Sequence, residues 1–259
     1  MPKITLINDD CFKVLPALSA GCYDCIVIDP PFFSWDKSAS VGHKKPDINK
    51  LCWQVKRLLA PHGVIWLFGI QPQLANDWPI WSRHFDLLCE FVLLKRKVMP
   101  ASHHKQPHRA HENLWVLKHK SAKVSELKLD FSKVAREVGE VKGSPEHIRH
   151  TLRMGNWPRW KKRVGYPKSA MYAQVLDGLH PTQKPLQLML MVVECSTDEG
   201  DWVLDPFAGS GTTAVACKLL NRNCVAIEID PHYYQVMVRR VEQAGNLEQF
   251  ISESEEVGM

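Results

Sequence analysis

The sequence predicts an α/β domain in which a mostly parallel sheet carries helices on both faces. Short apolar runs, typical of buried strands, alternate with stretches whose apolar residues recur at helical spacing. The chain has 259 residues, 45% of them hydrophobic, enough for one large domain or for one domain with an insert. Residues 120–178 break the alternation, and an insert is expected there.

The alternating pattern assigns most of the chain to individual elements. Predicted strands cover residues 4–8, 25–29, 64–69, 91–95, 112–118, 202–205 and 223–228. Predicted helices cover residues 48–60, 72–84, 185–195, 211–221 and 231–244, with a weaker helical pattern over 124–138. No helix separates 91–95 from 112–118, which predicts an antiparallel pair at one edge of the sheet.

The most unusual segment is Asp29-Pro30-Pro31-Phe32, which follows the predicted strand 25–29. Each proline fixes its own φ, removes a backbone N–H and favours extended geometry in the residue before it. A carboxylate and a carbonyl oxygen are thereby held rigidly beside an aromatic ring. Such a corner suits a planar group with an amino substituent, such as a nucleobase. A carboxylate that only caps a turn is the simpler alternative for Asp29.

A glycine-rich turn follows the predicted strand 202–205. Gly209 and Gly211 allow a tight turn and close approach of a ligand, and the helix that begins there attracts an anionic group. The next strand ends at Glu228, whose carboxylate can accept hydrogen bonds from ribose hydroxyls. This order indicates an adenosine-containing cofactor, and the missing third glycine of the dinucleotide fingerprint disfavours NAD.

Together these segments resemble the amino-methylating DNA methyltransferases that use S-adenosylmethionine. Residues 29–32 resemble the catalytic tetrapeptide of that family, residues 207–211 its cofactor loop, residues 180–185 the segment before that loop, and residues 8–11 its short acidic motif. The catalytic motif comes first here, which is the permuted order of the beta class. The resemblance implies a Rossmann-like methyltransferase fold with an inserted target-recognition region.

The resemblance also implies domain boundaries and residue roles. Residues 1–119 become the catalytic half, 120–178 the recognition insert, 179–245 the cofactor-binding half and 246–259 a tail. Asp29 and the Pro30 carbonyl would accept the amino N–H groups of a flipped base, Pro31 would stiffen the corner, and Phe32 would stack on the base. The residues expected to contact the cofactor are Asp10, Cys11, Thr182, Lys184, Asp205, Phe207, Ala208, Gly209, Gly211 and Glu228.

Charge is distributed unevenly along the chain. Residues 95–168 contain 19 Lys and Arg but only 6 Asp and Glu, a net charge of +13, whereas the rest carries −8. Such an imbalance favours a polyanionic partner, here double-stranded DNA. Within this segment, residues expected to touch DNA interleave indoles with cations: Trp157, Arg159, Trp160, Lys161, Lys162 and Arg163. The alternative is that both indoles cap a small local core.

Several function classes are disfavoured, and several remain open. The sequence has no apolar run long enough to span a bilayer, no secretory segment, and no second ligand pair to complete a metal site around Cys22 and Cys25. A cytoplasmic protein, bacterial or phage-encoded, without metal is expected. Asp29 favours adenine N6 methylation; cytosine N4 methylation and an inactive DNA-binding scaffold are the alternatives. A homodimer and a partner restriction enzyme are both compatible with the family.

Overall fold

A computed structural model describes residues 1–31, 46–99, 109–134, 136–137, 164–165, 170–173 and 183–245. Over these residues the chain forms one eight-stranded sheet and a two-stranded ribbon. The sheet contains β1 (Ile4–Asn8), β2 (Tyr23–Ile28), β3 (Leu59–Gly69), β4 (Phe85–Met99), β5 (Arg109–His119), β8 (Ala170–Ala173), β9 (Trp202–Asp205) and β10 (Asn223–Glu228). The ribbon pairs β6 (Arg136–Glu137) with β7 (Val164–Gly165).

The helices of the described residues alternate with these strands. They are α1 (Cys11–Val14), α2 (Ile48–Leu58), α3 (Gln73–Trp81), α4 (Leu186–Ser196), α5 (Thr212–Leu219) and α6 (Pro231–Gln243). Short 3₁₀ turns cover Leu15–Ala17, Val124–Glu126 and Phe131–Val134. No helix among the described residues is long and apolar enough to cross a membrane.

The strand order in the large sheet is β1-β10-β9-β2-β3-β5-β4-β8. The first five strands run parallel, and β5 lies antiparallel between β3 and β4. This confirms the Rossmann-like α/β fold and the antiparallel pair. The pair is not the outermost element, however, because β8 adds a parallel strand beside β4.

Helices cover both faces of the sheet, and the strand residues alternate between two cores. Cys25 and Val27 of β2 pack into the core that includes α4 and α5, whereas Ile26 and Ile28 pack into the core that includes α2. All six residues of β2 are buried. A strand covered on both faces buries successive side chains, which explains the continuous apolar run of residues 25–28 in the sequence.

Several predicted helices end earlier in the structure: the helix predicted over 72–84 ends at Trp81, and the one predicted over 211–221 ends at Leu219. Two further differences have identifiable causes.

The first difference is that α2 ends at Leu58, two residues before its predicted end, and residues 59–63 already belong to β3. Gly63 lies so close to β2 that a Cβ there would sit 2.8 Å from the Asp24 carbonyl oxygen. Because β3 already lies this close to β2 at Gly63, the strand begins before Val64, the first residue of the predicted strand.

The second difference concerns residues 124–134, which form 3₁₀ turns in place of the predicted helix. The Lys128 amide donates to the His62 carbonyl at 3.2 Å, and the Asp130 amide donates to the Cys195 carbonyl at 2.7 Å. The Lys128 ammonium also pairs with Asp24 and Asp201. These long-range bonds to the sheet and α4 outweigh the weak helical pattern. The domain boundaries at 120 and 178 stay a prediction.

Candidate active site

The carboxyl ends of β2 and β9 meet at one edge of the sheet. The two strands are parallel neighbours, with Cys25 paired to Val203 and Ile26 to Leu204. Asp29 directly follows β2, and Asp205 is the last residue of β9. Ligands of open α/β sheets bind beyond such strand ends. The fold therefore brings the proline-rich corner and the glycine-rich turn together although they are far apart in sequence.

Asp29 belongs to a buried cluster of charged side chains, which we call the Asp29 cluster: Asp29, Lys184 and Glu112. Lys184 Nζ lies 2.9 Å from Asp29 Oδ2 and 3.2 Å from Glu112 Oε2. The exposed fractions of the three side chains are 18% for Asp29, 11% for Lys184 and 6% for Glu112. The same ammonium group sits 4.7 Å from the centre of the Phe68 ring, a cation–π distance.

Glu112 reaches this position because β5 runs antiparallel to β3. Asn113 is paired with Gly69, the last residue of β3, so Glu112 lies just beyond that strand end. Lys184 comes from the short segment before α4, whose first residue is Leu186. Three separate segments of the chain thus contribute one charged group each.

Burial alone would lower the pKa of Lys184 by disfavouring its charge. The negative charges of Asp29 and Glu112 outweigh this effect and raise the pKa above its usual value. Lys184 therefore keeps its proton throughout the physiological range. With both carboxylates ionised, the Asp29 cluster carries a net charge of −1.

The turn after β9, which we call the glycine loop (residues 206–211), has two residues with positive φ. They are Gly209 at +53° and Gly211 at +80°. A Cβ at Gly211 would lie 2.4 Å from Met237 Cγ, so position 211 is closed to larger residues by packing as well as by backbone geometry. The Gly209 amide donates to Glu228 Oε2 at 2.7 Å, which ties the loop to the end of β10.

Glu228 and Asp205 hold the two strand ends that flank this loop. Glu228 Oε1 accepts a hydrogen bond of 2.8 Å from the Asp230 amide. Asp205 accepts 3.0 Å from the Phe207 amide and 2.5 Å from the Thr213 hydroxyl. Burial raises the pKa of Asp205 to about 7, and the charges of Asp29 and Glu228 add to this rise. The two hydrogen-bond donors oppose it because they favour the ionised form.

Arg240 holds the glycine loop from α6, and no local motif in the sequence indicated this role. Its Nη1 group donates to the Ser210 carbonyl at 2.6 Å, the Ser210 hydroxyl at 2.9 Å and the Thr212 hydroxyl at 3.1 Å. Gln183, next to Lys184, accepts from the same Ser210 hydroxyl at 3.3 Å. The glycine loop and the Asp29 cluster are therefore linked through residues 183–184. Nothing in the local pattern around Arg240 distinguishes it from the exposed Arg239 beside it.

The acidic motif of residues 8–11 lies at the neighbouring strand end. The Asn8 amide group donates to the Glu228 carbonyl at 2.8 Å, which joins the end of β1 to the end of β10. Asp10 caps α1 by accepting from the Phe12 amide at 2.9 Å. Burial raises the pKa of Cys11 to about 12, so its thiol stays neutral. A role for Asp10 and Cys11 in cofactor binding remains a prediction.

Some predicted site residues lie outside the described residues. They are Phe32, Thr182, Trp157, Arg159, Trp160, Lys161, Lys162 and Arg163.

Sequence reasoning missed Glu112, although a charged residue beginning an apolar run at 112–118 was an available signal. Within the described ranges, no three His, Cys, Asp or Glu side chains are grouped to hold a metal ion.

Comparison with known proteins identifies the class. The N6/N4 DNA methylase family model matches residues 23–239, most of the chain, and the chain belongs to that family. The family assignment confirms the resemblance inferred from the motifs. It covers methylation of adenine N6 and of cytosine N4.

Similar proteins extend over nearly the whole chain. The type II methyltransferase M2.DpnII of Streptococcus pneumoniae is 26% identical over 265 residues, covering 93% of this chain and 90% of its own length. The M1.HpyAVI–SAM complex is 24% identical with a TM-score of 0.59, covering 92% of this chain and 99% of its own. The cytosine-N4-specific PvuII DNA methyltransferase is 15% identical with a TM-score of 0.65, covering 98% of this chain and 91% of its own. At these identities the structural likeness establishes the fold.

Proposed function

We propose that this protein is a site-specific DNA methyltransferase that transfers a methyl group from S-adenosylmethionine to N6 of an adenine flipped out of double-stranded DNA. The observation that carries this proposal is the placement of Asp29 beside the glycine loop. An acidic corner that binds an amino group and a turn suited to an adenosine cofactor share one edge of the sheet. Family membership supplies the reaction class.

The residues around the glycine loop fit S-adenosylmethionine. Gly209 and Gly211 both adopt positive φ, which favours glycine, and the lack of a side chain at Gly209 would allow a ligand to approach the backbone closely. Glu228 would accept from the ribose hydroxyls, and Asp205 from the methionine ammonium group. The other expected contacts are Asp10, Cys11, Thr182, Phe207 and Ala208. When bound, the cofactor supplies an electrophilic methyl group attached to a sulfonium.

Asp29 and Pro30 would orient the nucleophile. The lone pair of an adenine amino nitrogen is delocalised into the ring, which makes it a poor nucleophile. If the Asp29 carboxylate and the Pro30 carbonyl each accept one N–H, the nitrogen is held in a more pyramidal geometry. Asp29 also stabilises the positive charge that develops on nitrogen during transfer, so positioning and electrostatics provide most of the catalysis. Phe32 would stack on the extruded base.

Cytosine N4 methylation needs the same geometry and is the second candidate, because the family includes it and the PvuII enzyme shares the fold. An aspartate at the first position of the tetrapeptide favours adenine, since family members with serine there usually favour cytosine. An inactive scaffold that only binds DNA is the third candidate.

One experiment separates these three candidates. The protein is incubated with methyl-labelled S-adenosylmethionine and unmethylated bacterial DNA, and the DNA is digested to nucleosides. We expect label in N6-methyladenine. Label in N4-methylcytosine supports the second candidate, and DNA retention without label supports the third. Asp29→Ala should abolish transfer while cofactor affinity stays close to that of the wild type; unchanged turnover would refute the catalytic role of Asp29.

We propose double-stranded DNA as the partner of the basic segment, through Trp157, Trp160 and the neighbouring cations. We further propose that the protein acts in the cytoplasm as the modification component of a restriction-modification system, as the type II relatives suggest. A homodimer is a further expectation, to be checked by sedimentation with and without DNA.

A further inference from the structure

We propose that Lys184 and Glu112 are positioning residues for Asp29, holding its carboxylate ionised and oriented for the target amino group. The proposal rests on the function proposed above and assigns a new role to both residues. The family resemblance places Lys184 among the cofactor contacts and gives Glu112 no role. In the structure the Lys184 ammonium lies 2.9 Å and 3.2 Å from the two protein carboxylates.

The geometry favours orientation of Asp29 over anchoring of the cofactor. A lysine ammonium has three N–H donors. Two protein carboxylates and the face of the Phe68 ring already surround it. Such an environment fixes the ammonium in space, and the ammonium in turn fixes Asp29 Oδ2. A carboxylate has about four acceptor sites, so a hydrogen bond to Oδ2 is compatible with a further one from the N–H of a base.

The charge balance gives Glu112 its role. A lone Asp29–Lys184 pair would be neutral, whereas the Asp29 cluster with Glu112 ionised has a net charge of −1. That charge favours the cation that forms on the target nitrogen as the methyl group is transferred. Without Lys184, two largely buried carboxylates would face each other, which raises the pKa of one of them. A protonated Asp29 would be a weaker acceptor for the amino group.

The decisive measurement is the pH dependence of the single-turnover methylation rate, with S-adenosylmethionine affinity measured separately by calorimetry. For Lys184→Met we expect the acidic limb of the rate profile to move upward by about one to two pH units, because the like charge of Glu112 disfavours ionised Asp29. Cofactor affinity should change less than about threefold, within the range of an indirect effect.

Glu112→Gln should do the opposite. Losing a negative neighbour moves the acidic limb downward, while the rate on the plateau falls about tenfold because the developing cation is less stabilised. Lys184→Arg keeps the charge and should restore the wild-type limb. Among the described residues Asp205 also interacts with the charge of Asp29, and burial raises the pKa of Asp205 to about 7. It is present in every variant, so differences between variants isolate the Asp29 cluster.

Lys118→Met is the matched control. Lys118 is also a buried lysine, lies on the same strand as Glu112, and pairs with the carboxylate of Asp86 at 2.9 Å. It lies near the far end of β5, away from the site. This change should leave the pH limb in place even if it reduces stability.

Two outcomes would overturn the proposal. A large loss of cofactor affinity in Lys184→Met with an unmoved acidic limb would make Lys184 a cofactor ligand. A lower rate with neither the limb nor the affinity altered would leave it a structural residue.

A second readout needs neither DNA nor cofactor. A carboxyl group whose pKa is raised in the folded state costs stability as pH rises through that pKa. An unfolded carboxyl group titrates near pH 4, so the stability of Lys184→Met relative to the wild type should fall between about pH 4 and pH 6. Adding Glu112→Gln should reduce the slope. If the wild type labels no DNA, the proposed function fails. The slope then still decides whether Lys184 controls the charge of Asp29 and Glu112, and a flat difference would overturn that coupling.

Discussion

The glycine loop should lose cofactor affinity when Arg240 is replaced by methionine. Arg240 Nη1 contacts three oxygen acceptors on Ser210 and Thr212, but an Nη1 group has only two N–H bonds, so two full hydrogen bonds are the upper limit. A hydrogen bond from a charged donor contributes about 1.5–3 kcal/mol. The side chain is half-buried, which reduces the net loss to about 2 kcal/mol. If the loop must be ordered for binding, that loss corresponds to about 30-fold weaker affinity.

Isothermal titration with S-adenosylmethionine and with S-adenosylhomocysteine measures this effect directly. Arg239→Met is the matched control, because Arg239 lies one position earlier on the same helix and is exposed. Hydrogen exchange of the amides of residues 207–213 in the free protein should accelerate in Arg240→Met and not in Arg239→Met. Equal dissociation constants for Arg240→Met and the wild type would refute the reasoning that Arg240 orders the loop.

Three further predictions address the loop, the buried acid and the insert. Gly211→Ala should lower the free energy of unfolding by about 2–4 kcal/mol in urea titration, because the left-handed backbone and the contact with Met237 are both penalised. Gly21→Ala, at a φ of +66° in open space, should lose only about 1 kcal/mol. For Asp205, a folded pKa of about 7 against an unfolded 3.8 means that its contribution to stability is lost as pH rises between those values, so Asp205→Asn should gain stability relative to wild type over that window. Replacing the insert cations by alanine should weaken DNA binding and reduce its salt dependence; these are Arg159, Lys161, Lys162 and Arg163.

The insert prediction has a charge-matched control elsewhere in the chain. Four exposed cations lie outside the predicted insert, before β1, near the end of α2, before β4 and in the last turns of α6, and they are Lys3, Lys56, Arg83 and Arg239. Their replacement removes the same charge but should leave the salt slope of DNA binding unchanged. Equal slopes for the insert variant and the wild type would show that the insert cations do not contact phosphates.

Element assignment from sequence succeeded where chain-local chemistry sets the boundaries. The bounds of β1, β9 and β10 agree with their predictions. The prediction for β4 was incomplete: the strand runs from Phe85 to Met99, whereas the sequence predicted a strand only over residues 91–95. Pairing with β5 and β8 lengthens that strand, and such pairing is not encoded in its own periodicity.

The residues of the candidate site also fall into two groups, those that the sequence identified and those that it did not. Asp29, the glycine loop and Glu228 were found because each sits in a short motif with its own chemical signature. Glu112 and Arg240 carry no such signature. Glu112 reaches the site because β5 runs antiparallel to β3. Arg240 reaches the glycine loop because α6 packs beside that loop.

The sequence by itself determined the local geometry: prolines that stiffen the corner after Asp29, and glycines that permit positive φ after β9. Covalent structure and steric exclusion act over a few residues, so a linear reading suffices for them. Only the tertiary structure decided which charges share a buried space. Strand order places β2 next to β9 and β5 next to β3, and that order follows from packing free energy summed over distant segments.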